Sequence, residues 1–207
     1  MRVAILGGTG SFGRALAARL AAAGEDEVVI GSRDPERAAG IAAELGVEGA
    51  ANTDAVRGAD LAVLAVKAEA AIPTAREIAV ALGETPLLSV ASDLSFSKDG
   101  VRPDPDALSI AERVAAVVRG PVAAGLHTLA ASNLGEAPPE EDALVCGDDA
   151  HAKEVALELA GRVVGGRALD AGPLASARAL EGLTAVIVNL NRRYKAHAGI
   201  RVSGLRP

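Results

Sequence analysis

Short, continuously apolar runs alternate along the chain with stretches whose apolar residues recur every three or four positions. The runs near 2–6, 27–31, 60–66, 86–91, 121–125, 143–147 and 167–171 predict strands. The periodic stretches near 11–23, 35–45, 69–82, 109–119, 149–163 and 174–196 predict helices. Leu61-Ala-Val-Leu-Ala-Val66 is apolar at every position, the pattern of a strand covered on both faces. Strand–helix alternation of this kind predicts an α/β fold, a doubly wound and mostly parallel sheet. Ser109-x-x-Glu112 reads as a capping box that opens a helix after Pro103 and Pro105. Two polar segments rich in Pro, Asp or Gly, 92–108 and 132–142, read as loops that serve a function. The last helix has Leu180, Leu183, Val186, Ile187 and Leu190 at helical spacing, a face that covers the sheet or meets a second copy.

The first run passes directly into Gly8-x-Gly10-x-x-Gly13, which opens an alanine-rich helix. Between a strand and a helix, this spacing is the fingerprint of a Rossmann dinucleotide site. Gly8 allows the tight turn, and Gly10 lets the backbone approach a pyrophosphate. Gly13 brings the helix close to the strand, leaving its free N–H groups facing the phosphates. Gly8, Thr9, Gly10, Ser11, Phe12 and Gly13 are the phosphate-binding candidates. The organisation expected is a Rossmann domain over 1–147 and a C-terminal extension over 148–207, helices plus one strand, that covers the sheet and contacts a second copy.

The second strand ends in Ile30-Gly-Ser-Arg33, where an NAD-preferring site places a carboxylate for the ribose 2′-hydroxyl. Ser32 and Arg33, with Arg37 a helical turn beyond, suit a 2′-phosphate through charge-assisted hydrogen bonds, so NADP is the expected cofactor. The competing reading is that Arg33 and Arg37 pair with Asp34 or Glu36 on a solvated surface. Open α/β sheets bind ligands beyond the C-terminal strand ends. That rule adds Val66, Lys67, Ala91, Ser92 and Leu94 as candidates. Lys67 either meets a cofactor phosphate or points to solvent.

Composition narrows the picture. Half of the 207 residues are apolar, yet Phe12, Phe96 and Tyr194 are the only Phe, Trp or Tyr residues. The core is therefore aliphatic, and a flat ligand meets aliphatic walls and backbone. The net charge of -6 argues against general nucleic-acid binding. Acidic side chains nevertheless stop after Glu181, while Arg192, Arg193, Lys195, Arg201 and Arg206 follow. The single cysteine, Cys146, lies in an apolar run and reads as a buried, inert thiol. His/Cys/Asp/Glu groupings give no metal site. A strand beginning at Arg2 leaves no room for a signal peptide, and no apolar run reaches spanning length, so a soluble, cytoplasmic protein is expected.

Gly7-Gly-Thr-Gly-Ser-Phe-Gly13, Gly31-Ser-Arg33, Gly125-Leu-His-Thr128, Cys146-Gly-Asp-Asp149, Asp170-Ala-Gly-Pro-Leu174 and Asn191-Arg-Arg-Tyr-Lys-Ala-His-Ala-Gly199 occur together and in order. The set resembles the NADPH-dependent reductases of coenzyme F420, an 8-hydroxy-5-deazaflavin, across nearly the whole chain. The resemblance implies a Rossmann domain with a small helical C-terminal part, paired as a homodimer, that passes a hydride between NADPH and the deazaflavin. It also implies that Thr9, Ser32, Arg33 and Arg37 hold the NADP phosphates. Residues 92–96, His127 and Leu174 would surround the nicotinamide–deazaflavin contact. The chain departs from the family pattern at Lys67-Ala68, where Pro-Trp is common, and at Ser92-Asp93-Leu94, where Asn-Pro-Leu is usual.

Hydride exchange between two rings asks the protein for alignment and exclusion of water rather than for strong acids or bases. His127 is the one candidate catalytic residue, a positioning group rather than an acid or base; the alternative is a histidine that fixes a loop. The basic terminal residues either attract the deazaflavin tail or complement the helix dipole, an effect of ~0.3–1 kcal/mol. Two other functions use the same residues: reduction of a small carbonyl or imine with His127 or Lys67 as proton donor, and a non-catalytic NADP-binding redox sensor. The absence of a Tyr-x-x-x-Lys pair argues against a short-chain dehydrogenase: Tyr194 is the only tyrosine and position 198 is Ala.

Overall fold

The computed structural model describes residues 1–106, 108–135 and 137–205, so Arg206 lies outside the described residues. In order, the chain forms β1 (Arg2–Leu6), α1 (Ser11–Ala23), β2 (Glu27–Ser32), α2 (Pro35–Leu45), β3 (Glu48–Ala51), α3 (Asn52–Ala55), β4 (Leu61–Leu64) and α4 (Ala68–Leu82). It continues with β5 (Leu87–Ser89), β6 (Leu94–Ser97), β7 (Gly100–Pro103), α5 (Ile110–Ala115), β8 (Val122–Gly125), β9 (Ala143–Gly147), α6 (Ala150–Val163), β10 (Ala168–Asp170) and α7 (Ala177–Tyr194).

Eight strands make one sheet in the order β10-β9-β8-β5-β4-β1-β2-β3. All neighbours are parallel except β8 and β9. Among the described residues no α-helix joins that pair, and without a crossover element the chain returns antiparallel. Alternation along β1 sends Val3 and Ile5 into an apolar layer with Leu16, Leu20, Ile30 and Leu159. It sends Ala4 and Leu6 into a second layer on the other face with Leu64, Ile78, Leu87, Ile110 and Leu180. Both faces are buried, as the uninterrupted apolar runs predict.

Several elements differ from the sequence expectation. β3 and α3 were not expected: Glu48-Gly-Ala-Ala51 has no β-branched or aromatic residue, and β3 is held as a sheet edge by pairing with β2. The segment 92–108 is partly an antiparallel hairpin, β6–β7. The helix opened by the Ser109 capping box is formed as expected but ends at Ala115. The final helix starts as a 3-10 turn over Leu174–Ser176 before α7.

The polar segment 132–142 ends in two buried carboxylates, Glu141 and Asp142. Asp142 accepts from the Arg167 side chain (2.6 Å) and backbone (2.9 Å) and from the Val202 N–H (2.8 Å). The Arg167 hydrogen bond holds the Asp142 carboxyl well below the usual range. This pair fastens the terminal tail to the β9–β10 edge. Among the described residues, no helix is long and apolar enough to cross a membrane, and no cluster of His, Cys, Asp and Glu could hold a metal ion.

Candidate dinucleotide and second-substrate site

A cleft of about 740 Å³ opens beyond the C-terminal ends of β1, β2 and β4, where the sheet's connections diverge to opposite faces. Thr9, Gly10, Ser11 and Phe12 form one wall, Ser32, Arg33 and Arg37 a second, and Val66 and Lys67 with the first turns of α4 a third. Nine of the residues singled out in the sequence thus meet around one cavity.

The glycine turn is tighter than the motif reading had it. The left-handed residue is Gly7, with φ 78°, whereas Gly8 is excluded from carrying a side chain by space: a Cβ there would lie 2.8 Å from the Ile30 side chain. The tight turn therefore belongs to Gly7, a correction to the reading of Gly8. A Cβ on Gly13 would lie 2.5 Å from the Gly7 carbonyl, so the helix approaches the turn as closely as the motif predicts. Gly10 is the N-cap of α1 and supplies no side-chain acceptor, which leaves the first N–H groups of a thirteen-residue helix free at the cleft.

At the end of β2, Ser32 is buried, and its hydroxyl accepts from the Asp34 N–H at 3.1 Å. Arg33 is exposed and, among the described residues, has no acidic partner. The Arg37 guanidinium reaches the Thr9 carbonyl at 3.5 Å, joining the two cleft walls. Asp34 lines the cleft but uses its carboxylate to cap α2, accepting from the Arg37 N–H at 3.1 Å. The surface ion pairs that would have explained Arg33 and Arg37 without a ligand do not form. Lys67, the N-cap of α4, is exposed at the cleft with no side-chain cap to offer that helix.

One cleft residue escaped the sequence reading. Asn52 opens α3, is 2 % exposed, and its Oδ1 has no hydrogen-bond partner. An unpaired buried acceptor costs about 1–3 kcal/mol, so an unused oxygen facing a cavity suits a group that a ligand would satisfy. The signal was an Asn directly after a strand end, and it was invisible because β3 itself was not recognised.

Ala91, Ser92, Leu94, His127 and Leu174 do not line this cleft. Three of them meet beside it, past the ends of β5 and β8. His127 is buried, with Nε2 3.3 Å from the Ala91 carbonyl. A carbonyl only accepts, so Nε2 carries the proton and Nδ1 is left as a bare acceptor with no partner. Burial pulls the His127 pKa down to about 4, so the ring is neutral near pH 7 and holds no proton to give as an imidazolium. The backbone before it is strained: Leu126 has φ 62°. The Ser92 hydroxyl lies 2.8 Å from that of Thr184, which donates to the His127 carbonyl at 2.8 Å. Leu174 belongs to the same buried apolar layer as Ala91, and Leu94 opens the β6–β7 hairpin.

The remaining histidines and the thiol are elsewhere. His197 Nδ1 pairs with the Ser132 hydroxyl at 2.8 Å, and His151 is an exposed residue of α6. Cys146 is fully buried, which pushes its thiol up to about 11 and leaves it unreactive.

Fold and cleft together define a dinucleotide-binding Rossmann protein with a cationic end to its second strand. Residues 2–93 match the family described as "NADP oxidoreductase coenzyme F420-dependent". The chain is 40% identical to the F420-dependent NADP reductase of Methanothermobacter thermautotrophicus over 99% of its own length and 96% of that protein. The corresponding reductase of Methanothermobacter marburgensis is 37% identical over 99% of both chains. A crystal structure of a candidate F420-dependent NADP-reductase from an Arthrobacter species superposes with a TM-score of 0.84 at 29% identity, covering 99% of this chain and 100% of that one. The chain belongs to the family of F420-dependent NADP reductases.

Proposed function

We propose that this protein passes a hydride between NADPH and coenzyme F420 and that both are substrates held side by side beyond the strand ends. What carries the reading is the near-complete coverage of F420-dependent reductases by this chain, joined to a cleft whose arginines lack acidic partners. Each of the two rings can give or take the hydride; the chain's own residues bind, orient and exclude water.

In this reading the N–H groups around Gly10, Ser11 and Phe12 take the pyrophosphate. Thr9, Ser32, Arg33 and Arg37 take the 2′-phosphate, and Val66 and Lys67 bound the path toward the nicotinamide. Ala91, Ser92, Leu94, His127 and Leu174 surround the two rings. His127 acts by position: with Nε2–H committed to Ala91, Nδ1 can only accept, so its partner is an O–H or N–H of a substrate. Its low pKa argues against the carbonyl- or imine-reductase alternative that would need it as an acid.

The protein functions as a cytoplasmic homodimer in which 1–147 bind the dinucleotide and 148–207 supply the contact. The support is a stripe on α7, Val186, Leu190 and Tyr194, that is 52%, 39% and 68% exposed, with Phe96 beside it at 61%. A single buried cysteine suits a reducing compartment.

The test is direct: mix the purified protein with NADPH and oxidised deazaflavin and follow both absorbance bands. Equimolar loss of the two is expected. Oxidation of NADPH by some other acceptor, with the deazaflavin band unchanged, would overturn the proposal.

A further inference from the structure

Four side chains on one side of α7 hold the segment that runs from β5 to α5. Arg178 donates to the Asp104 and Asp106 carbonyls. Glu181 accepts from the Ile110 N–H at 2.6 Å, and the Asp93 N–H lies near enough to the same carboxylate to stabilise its charge. Thr184 joins the Ser92 hydroxyl to the His127 carbonyl. Asn189 donates to the Val101 carbonyl and accepts from its N–H, both at 2.8 Å, as a neighbouring strand would.

Two of these ties matter for the site. Glu181 is fully buried: the Ile110 N–H engages one carboxylate oxygen, and the other, with no hydrogen-bond partner, faces the Arg178 guanidinium. Thr184 lies one turn further along and reaches both strand ends that flank the second-substrate region. From these contacts we propose that Glu181 and Thr184 are positioning residues: they fix backbone 91–93 and 127 in the place from which those segments grip the deazaflavin. The identity of that ligand rests on the function proposed above; the positioning itself does not.

The charged groups facing Glu181 are few. Arg178, on its own helix, stands 3.7 Å from Oε2, and Arg113 comes from α5, paired to Asp93 at 2.6 Å. β8 and β9 contribute no charged side chain, and β7 contributes only the exposed Arg102. Burial accordingly raises the Glu181 carboxyl to about 7. The ionised form is the stronger acceptor for the two N–H groups, so the grip loosens as pH falls through that value.

Amide hydrogen exchange on the ligand-free protein reads the tie without any activity. In Glu181→Gln, the Asp93 and Ile110 amides should exchange about tenfold faster, the difference between a charged and a neutral acceptor. Their protection, corrected for intrinsic exchange, should also stop changing across neutral pH. Thr184→Val should expose residues 92–93 while Thr184→Ser restores them. In both disruptive variants the Kd for NADPH should stay at the wild-type value and the KM for the deazaflavin should rise severalfold. Unchanged amide protection in Glu181→Gln and Thr184→Val would overturn the proposal, as would an equal loss of NADPH affinity. Should the wild type not turn over the deazaflavin, the function fails, and the exchange data still decide the positioning role.

Discussion

In the proposed function, the Arg33 guanidinium at the end of β2, with no carboxylate partner among the described residues, sets the preference for a phosphorylated adenosine. Hydrogen bonds to a charged group contribute about 1.5–3 kcal/mol, so Arg33→Ala should weaken NADPH binding by roughly 10- to 100-fold. NADH binding should hardly change, and titration calorimetry with both dinucleotides measures the split. Asn52→Asp tests the neighbouring wall: a carboxylate added beside the same phosphate should cost NADPH affinity selectively, leaving NADH less affected. His127 makes a stability prediction. Its unfolded imidazole takes up a proton below pH 6.5, but the buried native ring refuses one until about 4. Native stability therefore falls as pH drops through that window, by about 3 kcal/mol in total. Denaturant unfolding of His127→Asn should lack this slope, and a wild-type slope would mean the ring is solvated. Glu181 has the opposite sign. Its contribution is present below 4.5 and lost as pH rises through about 7, so the two offset in part between 4.5 and 6.5. Ser32 and Arg33 were legible because the motif fixes their place within a few residues of the glycine turn. Asn52, Glu181 and Thr184 were not, since each acquires its meaning from a partner on another element.

The helix α7 has two faces with different tasks. One is tied to the hairpin segment by Arg178, Glu181, Thr184 and Asn189. The other presents Val186, Leu190 and Tyr194 to solvent at four-residue spacing, with Arg192 stacked 5.4 Å above the Phe96 ring alongside. An apolar stripe of this kind on an otherwise polar surface marks an interaction site. If α7 carries the proposed dimer contact, Leu190→Asp should shift the protein toward monomer in sedimentation velocity without altering its helix content. A dimer of wild-type strength in that variant would move the contact off α7. The periodicity of α7 was readable in the sequence, but which apolar residues face the sheet was not, because Leu180 and Leu190 are the same residue type on different sides. The hairpin was hidden for a related reason. Leu94-Ser-Phe-Ser97 does alternate with period two, yet four residues between turn-forming neighbours give too short a signal, and the Asn189 amide that closes one edge lies far along the chain.

At the scale of the molecule, residues 148–207 share the sheet and the apolar layers of residues 1–147. β10 pairs with β9 and so extends the sheet begun by β1, and α6 packs on the layer built from α1 and β2. Strand–helix alternation made the sheet legible. The antiparallel step from β8 to β9 was not, because direction there depends on a missing crossover rather than on any residue pattern. The two halves are also joined electrostatically. Arg162 on α6 pairs with Asp26, Glu25 and Glu158, and the Asp26 side chain is fully buried. Stranding one charge of a buried pair costs about 3–5 kcal/mol, but without Arg162 the buried Asp26 would still keep the Met1 ammonium at 3.1 Å. Arg162→Met should therefore lower unfolding stability by less than that, about 1.5–3 kcal/mol for the lost charged hydrogen bonds, while leaving the cleft at the other end of β1 and β2 competent to bind. A shared sheet also requires that the loss be felt globally. Urea unfolding of the variant, followed by circular dichroism and by exchange at β1 and β10, should give one transition at a reduced midpoint. Separate transitions for β10 and β1 would show instead that the extension is an independent unit resting against the domain.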